Sequence, residues 1–263
     1  MRKALIIAKK EIREIRGSKY LLSSLLMPII IFGIAMPGAF AFISQLPIEG
    51  QVDIPNHIAQ IIPGYGRMND QQRMLYFSVY YLLGPMLLIT PLMVPVFIAA
   101  DSFAGERERK TIEPLLASPV SDIELFLGKV LTAFVPSMFI SFIAFVIATC
   151  LFNWSALQVF GYIIFPDIPY FIMMIVLTPL ATIFSISIVV LISARVVSVR
   201  DASQIGGVVI VPLILLIVGQ MFAFIFINIV TVIIATAILA LLDAILIRFC
   251  ASRFGRETIL MRL

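Results

Sequence analysis

Between Asp101 and Lys129 the chain reads DSFAGERERKTIEPLLASPVSDIELFLGK. Glu106, Arg107, Glu108, Arg109 and Lys110 stand side by side in it. Charges have no place in hydrocarbon, where each costs about 2.5–3.5 kcal/mol or more. The segment therefore reads as a water-facing connection, and what flanks it is apolar. Of the 263 residues, 61% are hydrophobic and 13% charged, and the mean hydropathy is +1.10. A water-soluble domain has no use for so much apolar surface. The expected fold class is an all-α integral membrane protein, one transmembrane domain over residues 1–263.

A helix crossing the ~30 Å hydrocarbon core takes about 20 apolar residues. Six stretches meet that requirement: 20–43, 74–100, 126–152, 169–193, 205–227 and 229–247. They leave residues 1–19 as an N-terminal helix, 101–125 as the polar connection and 248–263 as a tail. Only Asn228 separates the last two stretches. One continuous helix would reach roughly 65 Å, about twice the core thickness, so a hairpin turning near Asn228 is expected.

Lys and Arg orient the spans. Seventeen lie before the first span, in the second and fourth connections or in the tail, and two, Arg67 and Arg73, lie in odd-numbered connections. The positive-inside rule makes the richer side cytoplasmic, with both termini there and the plasma membrane as the expected location. The pI of about 9.2 then reflects topology and contact with inner-leaflet lipid rather than nucleic-acid binding. The N-terminus is basic and then apolar, with Ala39-Phe40-Ala41 resembling a signal cleavage site, but a signal core is about 7 to 15 residues. The run from Tyr20 to Ala41 is span-sized and is expected to be retained. Ahead of it, Leu5, Ala8, Ile12 and Ile15 recur at spacings of three and four, predicting an amphipathic helix in the interface plane.

Within the spans, proline is frequent, and Pro85, Pro91 and Pro95 make the second the one expected to bend or break. Polar residues are sparse. Asp243 lies about a turn from the inner end of the sixth span, close enough to Arg248 or Arg195 for a structural pair, and Gln220 lies midway along the fifth. Either could instead belong to a pathway. Cys150 and Cys250 fall on opposite sides of the membrane and cannot pair, and buried filler is the expected role of Cys150. No internal repeat is visible. No G-x-S-x-G or H-E-x-x-H occurs, His57 is the only histidine, and Gly128-Lys129 has Ile123 where a P-loop needs its first glycine and Val130 where it needs a hydroxyl. Neither catalytic chemistry nor nucleotide or cofactor binding is encoded in any of these forms.

From Gly105 to Ser118, Ile112, Leu115 and Leu116 recur at i, i+3 and i+4, predicting a short amphipathic surface helix interrupted at Pro114 and stopped by Pro119. Ser121 and Glu124 then form a capping box that starts the next span.

The run Phe103 to Ser121, followed by Gly128-Lys129, resembles the connection between the second and third spans of ABC-2 type ABC transporter permeases, Gly-Glu-Lys/Arg-Glu-x-x-Thr-Leu-Glu-x-Leu-Leu-x-x-Pro-Val/Ile-Ser and then Gly-Lys. The six-span layout with an N-terminal helix is similar to that family over the whole chain. The resemblance implies the membrane subunit of an ATP-driven exporter, two permeases associating as a homodimer or heterodimer, each on a separate ABC ATPase subunit. The connection would be a coupling helix seated in a groove of that ATPase, with Glu106, Arg107, Glu108, Arg109, Thr111 and Glu113 giving polar contacts and Leu115 and Leu116 apolar ones. The chain departs from members with elaborate outer segments, since Asn228 leaves room for little more than a turn. A self-contained channel or secondary transporter is the alternative; it calls for polar pathway residues at mid-membrane, which are nearly absent here.

Overall fold

The computed structural model describes residues 2–45, 64–109, 122–193, 196, 198–221 and 228–253. Among these, all regular elements are helical. Helix α1 (Arg2–Gly17) comes first. Six helices then have the length and composition to cross a membrane: Leu21–Ile43, Asp70–Glu106, Glu124–Val159, Ile168–Ser193, Val199–Gly219 and Ile229–Cys250, called spans 1 to 6 below. Each apolar run of the sequence is met by one of them. Asn228 does mark a break. Its side-chain oxygen accepts from the Thr231 N–H at 2.9 Å and the Thr231 hydroxyl accepts from the Asn228 N–H at 2.8 Å, a reciprocal cap that starts span 6 at Ile229.

Span 2 is the centre of the bundle. In its most apolar stretch 78% of residues are buried, against 22% in span 1 and 11% in span 6. It packs on spans 1, 3, 4 and 5, while span 6 lies at the edge against span 4. Small side chains make that position workable: Ala99, Ala100 and Ala104 are fully buried and let neighbouring backbones approach closely. The bare apolar face of span 6, with Ile238, Leu241 and Ile245 outward, is what a helix shows to lipid.

Three spans widen into π-helical turns, Ile29–Ala35, Ser78–Leu83 and Met173–Leu177. Each is followed within two residues by a proline, Pro37, Pro85 or Pro179. The residue just before that proline donates to the carbonyl five back: Met36 to Ile31, Gly84 to Val79 and Thr178 to Met173. Proline lacks an N–H and its ring crowds the carbonyl four back, and the wider turn absorbs both defects. Span 2 is interrupted again at Leu87–Leu88, between Gly84–Met86 and Ile89–Glu108, so it is broken as its prolines lead one to expect.

The end of the bundle away from α1 is held by polar ties around a ring cluster. Asn153 accepts from the backbone of Ile164 (3.3 Å) and Phe165 (3.1 Å), fixing Phe165 edge-on to Phe152 at 5.3 Å. The Tyr170 hydroxyl donates to the Tyr80 carbonyl, and the Tyr80 hydroxyl to that of Ile164. Gly161, at φ +78°, follows the helix of span 3 and starts the return, a conformation glycine adopts without strain.

Two expectations change at the level of side chains, those for Cys150 and for Gly105–Glu108, and the packed face of α1 is defined. The buried face of α1 is Ala8, Glu11 and Ile15, with Leu5 and Ile6 left outside at 61% and 68% exposure. Glu11 falls in step with Ala8 and Ile15 and faces inward with them, because α1 packs along the start of span 3, where a lysine awaits it. Cys150 is exposed, since it faces outward from span 3, and Cys250 is the buried thiol, its Sγ 3.6 Å from the Ser187 carbonyl. Finally, Gly105–Glu108 do not open a separate surface helix: they are the last turn of span 2. Gly105 sits where an added Cβ would lie 3.2 Å from the Asp101 carboxylate and 3.3 Å from Val199, so the helix continues to where span 5 begins.

Candidate functional site

The charged end of span 2 comes out of the bundle beside α1, and its side chains engage the protein itself. Lys129, in the first turns of span 3, is 2% exposed. Its ammonium lies 2.6 Å from Glu106 Oε2 and 3.6 Å from Glu11 Oε1, and it also donates to the Ser102 carbonyl. Two of these contacts are within hydrogen-bond reach, and Glu11 completes the set as an ion pair. The Ser102 hydroxyl donates to the other Glu11 oxygen at 2.7 Å, and the Phe103 ring centroid lies 5.2 Å from the ammonium. A buried cation is tolerable only with such pairing, since removing a partner leaves an uncompensated charge in a poor solvent.

Glu106 was expected in water beside Glu108. It is 20% exposed at its side chain and closes the buried pair with Lys129, because the helix of span 2 carries it round to face span 3. Glu108 is exposed, and its Oε2 accepts from the Val199 N–H at 2.8 Å, satisfying a free donor at the start of the span 5 helix where Ser198 is the cap. Arg109 is also exposed and pairs with Asp101 at 2.7 Å. Span 2 thus meets α1 and span 3 through Glu106 and Ser102, and span 5 through Glu108. Arg107 belongs to the same helical turn, though its side chain is outside the described set, and Thr111, Glu113, Leu115 and Leu116 lie outside the described residues, as do Ile112, Pro114 and Ser121.

Sequence reasoning left out Glu11, Ser102 and, except as half of the Gly-Lys pair, Lys129. The signal for Glu11 is its place in the spacing Ala8–Glu11–Ile15, the i, i+3, i+7 rhythm of a buried face. For Lys129 it is position, a lone cation at the start of an apolar run.

Asp243 and Gln220 stand apart from this cluster. Gln220 lies in the helix of span 5 with its side chain outside the described set. Asp243 belongs to the packed stripe of span 6, Val232, Thr236, Leu239, Asp243, Leu246 and Cys250, spaced three and four apart. It is 3% exposed, and neither carboxylate oxygen has a hydrogen-bond partner among the described residues. The expected pair with Arg248 is not made. Five residues on is roughly 140° round a helix, and Arg248 points outward. Arg195 lies outside the described residues. Cys250 meets Ser187, and spans 4 and 6 run in the same direction, so Asp243, two turns earlier, is level with the first turn of the Thr178–Ser193 helix and away from its C-terminal end. Asp243→Val should therefore raise the melting temperature of the detergent-solubilised protein, since an unsatisfied buried polar group costs about 1–3 kcal/mol. A lower melting temperature would mean that a partner holds this carboxylate.

Residues 5–255 match the family model described as ABC-2 family transporter protein. The chain belongs to the ABC-2 transporter family. It is a multi-pass membrane permease of an ABC-type transporter, and permeases of this kind pair with an ABC ATPase. No curated protein matches the chain. In the permease the charged turn at Glu106–Arg109 and the lysine cluster behind it occupy the root of the connection between spans 2 and 3.

Proposed function

We propose that this permease is the transmembrane half of an ATP-driven exporter, two copies or two related chains forming the pathway and a separate ABC ATPase seated under each. The observation that carries the reading is the Gly-Glu-Arg-Glu run at the end of span 2, continued by Thr111, Glu113, Leu115 and Leu116, in a chain whose family match covers nearly its whole length. Seventeen of its Lys and Arg residues fall on the α1 side of the six-span topology, supporting a cytoplasmic placement of that side and of both termini in the plasma membrane. In this scheme Glu108, Arg109 and the rest of the connection face the ATPase, Leu115 and Leu116 fill an apolar groove on it, and Glu106 anchors the connection from behind.

A ligand shifts a conformational equilibrium only by its differential affinity for the two states. ATP, bound on the partner, acts on the pathway only through this contact. Closure of the ATPases around ATP would swing the connection, and the interrupted span 2 would carry that motion to an alternating-access or lateral path. The hydroxyls buried in the spans support a driven path over a self-contained polar channel. Ser137, Thr182 and Ser185 each bond the carbonyl four back on their own helix.

The orientation is tested by impermeant thiol labelling in intact cells. A cysteine at Asn228 should react from outside and one at Ser121 only once the inner face is opened. Labelling of Ser121→Cys from outside would remove the basis for the ATPase contact.

A further inference from the structure

We propose that Lys129 is a positioning residue of the transport cycle, joining α1 to the root of the coupling connection so that the two move as one body. The inference rests on the reading above that an ATPase drives this end of the permease, but the joint itself is visible without it. Three elements meet at one ammonium: α1 through Glu11, span 2 through Glu106 and the Ser102 carbonyl, and span 3 through Lys129 itself. The Ser102 hydroxyl on Glu11 closes the ring between α1 and span 2 directly.

The chemistry of the ring makes its members unequal. Two carboxylates share one cation, so losing one glutamate weakens the pairing of the lysine without removing every opposite charge from the site. Without Lys129, Glu11 and Glu106 face each other in a buried site with no opposite charge between them, and like charges in low dielectric push apart. The elements that then separate are α1 and span 2. Lys129 is therefore a fastener whose loss opens the joint, and Glu106 stands two residues before Glu108, an exposed charge of the connection. Force applied by the ATPase to the connection reaches α1 through this point. The inward carboxylate on an otherwise apolar stripe of α1 is explained by it: packing alone would be served by a hydrophobe, whereas a charge fixes register.

Spin labels test the proposal, placed at exposed Lys10 on α1, exposed Arg109 at the end of span 2 and exposed Gln158 at the far end of span 3, with Cys150 and Cys250 replaced by alanine. Pulsed electron-electron distances are measured on the permease alone and on its complex with the ATPase, free and trapped with a non-hydrolysable ATP analogue. With Lys129 present, the Lys10–Arg109 distribution should be one narrow peak that nucleotide leaves in place, while both labels shift together relative to Gln158. Lys129→Gln should lose the narrow peak even without nucleotide, and nucleotide should then move Arg109 but not Lys10. Exchanging the charges, Lys129→Glu with Glu106→Lys, should restore the peak. If Lys129→Gln does not fold, Glu11→Ala removes the α1 side alone and should broaden the same distribution. A peak as narrow in these variants as in the parent, with nucleotide still moving both labels, overturns the proposal. Nucleotide that moves neither label in the parent complex, while Lys129→Gln still broadens the peak, counts against the ATPase reading and leaves the joint standing.

Discussion

Reversing the charge at Glu106 should deplete the permease from the membrane, while the same reversal two residues on should not. Glu106→Lys places a second cation against an ammonium that is 2% exposed and removes its closer carboxylate partner, at 2.6 Å. Breaking a buried pair from one side costs about 3–5 kcal/mol, a large share of the stability of most folded proteins. Glu108 is exposed and supplies one hydrogen bond to the start of span 5, a helix that Ser198 already caps, so Glu108→Lys should cost no more than about 1 kcal/mol. Membrane abundance and the melting temperature in detergent check both. Glu108→Lys should also reduce the amount of ATPase that co-purifies, because like-charge juxtaposition across an interface opposes docking. Equal abundance of the two variants would mean that Glu106 and Lys129 part at little cost.

The second large effect is expected at Gly84, between two interruptions of span 2. A Cβ there would lie 2.4 Å from the Tyr170 ring and 2.8 Å from its hydroxyl oxygen. That ring is 1% exposed, its hydroxyl donates to the Tyr80 carbonyl, and Phe165 lies against it at 5.2 Å. It has nowhere to turn. Overpacking in a filled core typically costs about 1–3 kcal/mol, and a contact this close on a held ring belongs at the upper end. Gly84→Ala should therefore lower the melting temperature clearly, and Gly84→Ala with Tyr170→Phe should recover little, since the clash is with ring carbons as well as oxygen. A stable Gly84→Ala permease would show that spans 2 and 4 slide freely past each other.

The spans were legible because hydrocarbon imposes one strong rule: about 20 apolar residues in a helix for each crossing. Asn228 was legible as a break because one helix through both stretches would be about twice as long as the core is thick, whereas the reciprocal cap with Thr231 was not read from the sequence. The interruption of span 2 followed from its prolines, although the five-residue hydrogen bonds that precede Pro37, Pro85 and Pro179 depend on where each freed carbonyl finds a donor, which composition does not encode. The charged turn was legible as special. The direction of its charges was not, because a run of five charges reads alike whether it faces water or a lysine on another helix. Glu106 turned inward for a reason held elsewhere in the chain, at Lys129 and Glu11. Asp243 went the other way: proximity in sequence suggested Arg248, and helical phase placed the two on different faces.

Calorimetric titration of ATP into the purified permease, alone and in complex with its ATPase subunit, tests the division of labour most directly. The chain should give no binding heat alone, because Ile123 and Val130 stand where a phosphate loop needs glycine and a hydroxyl, and ATP should bind only once the ATPase is present. Stoichiometric ATP binding to the isolated permease would contradict the account.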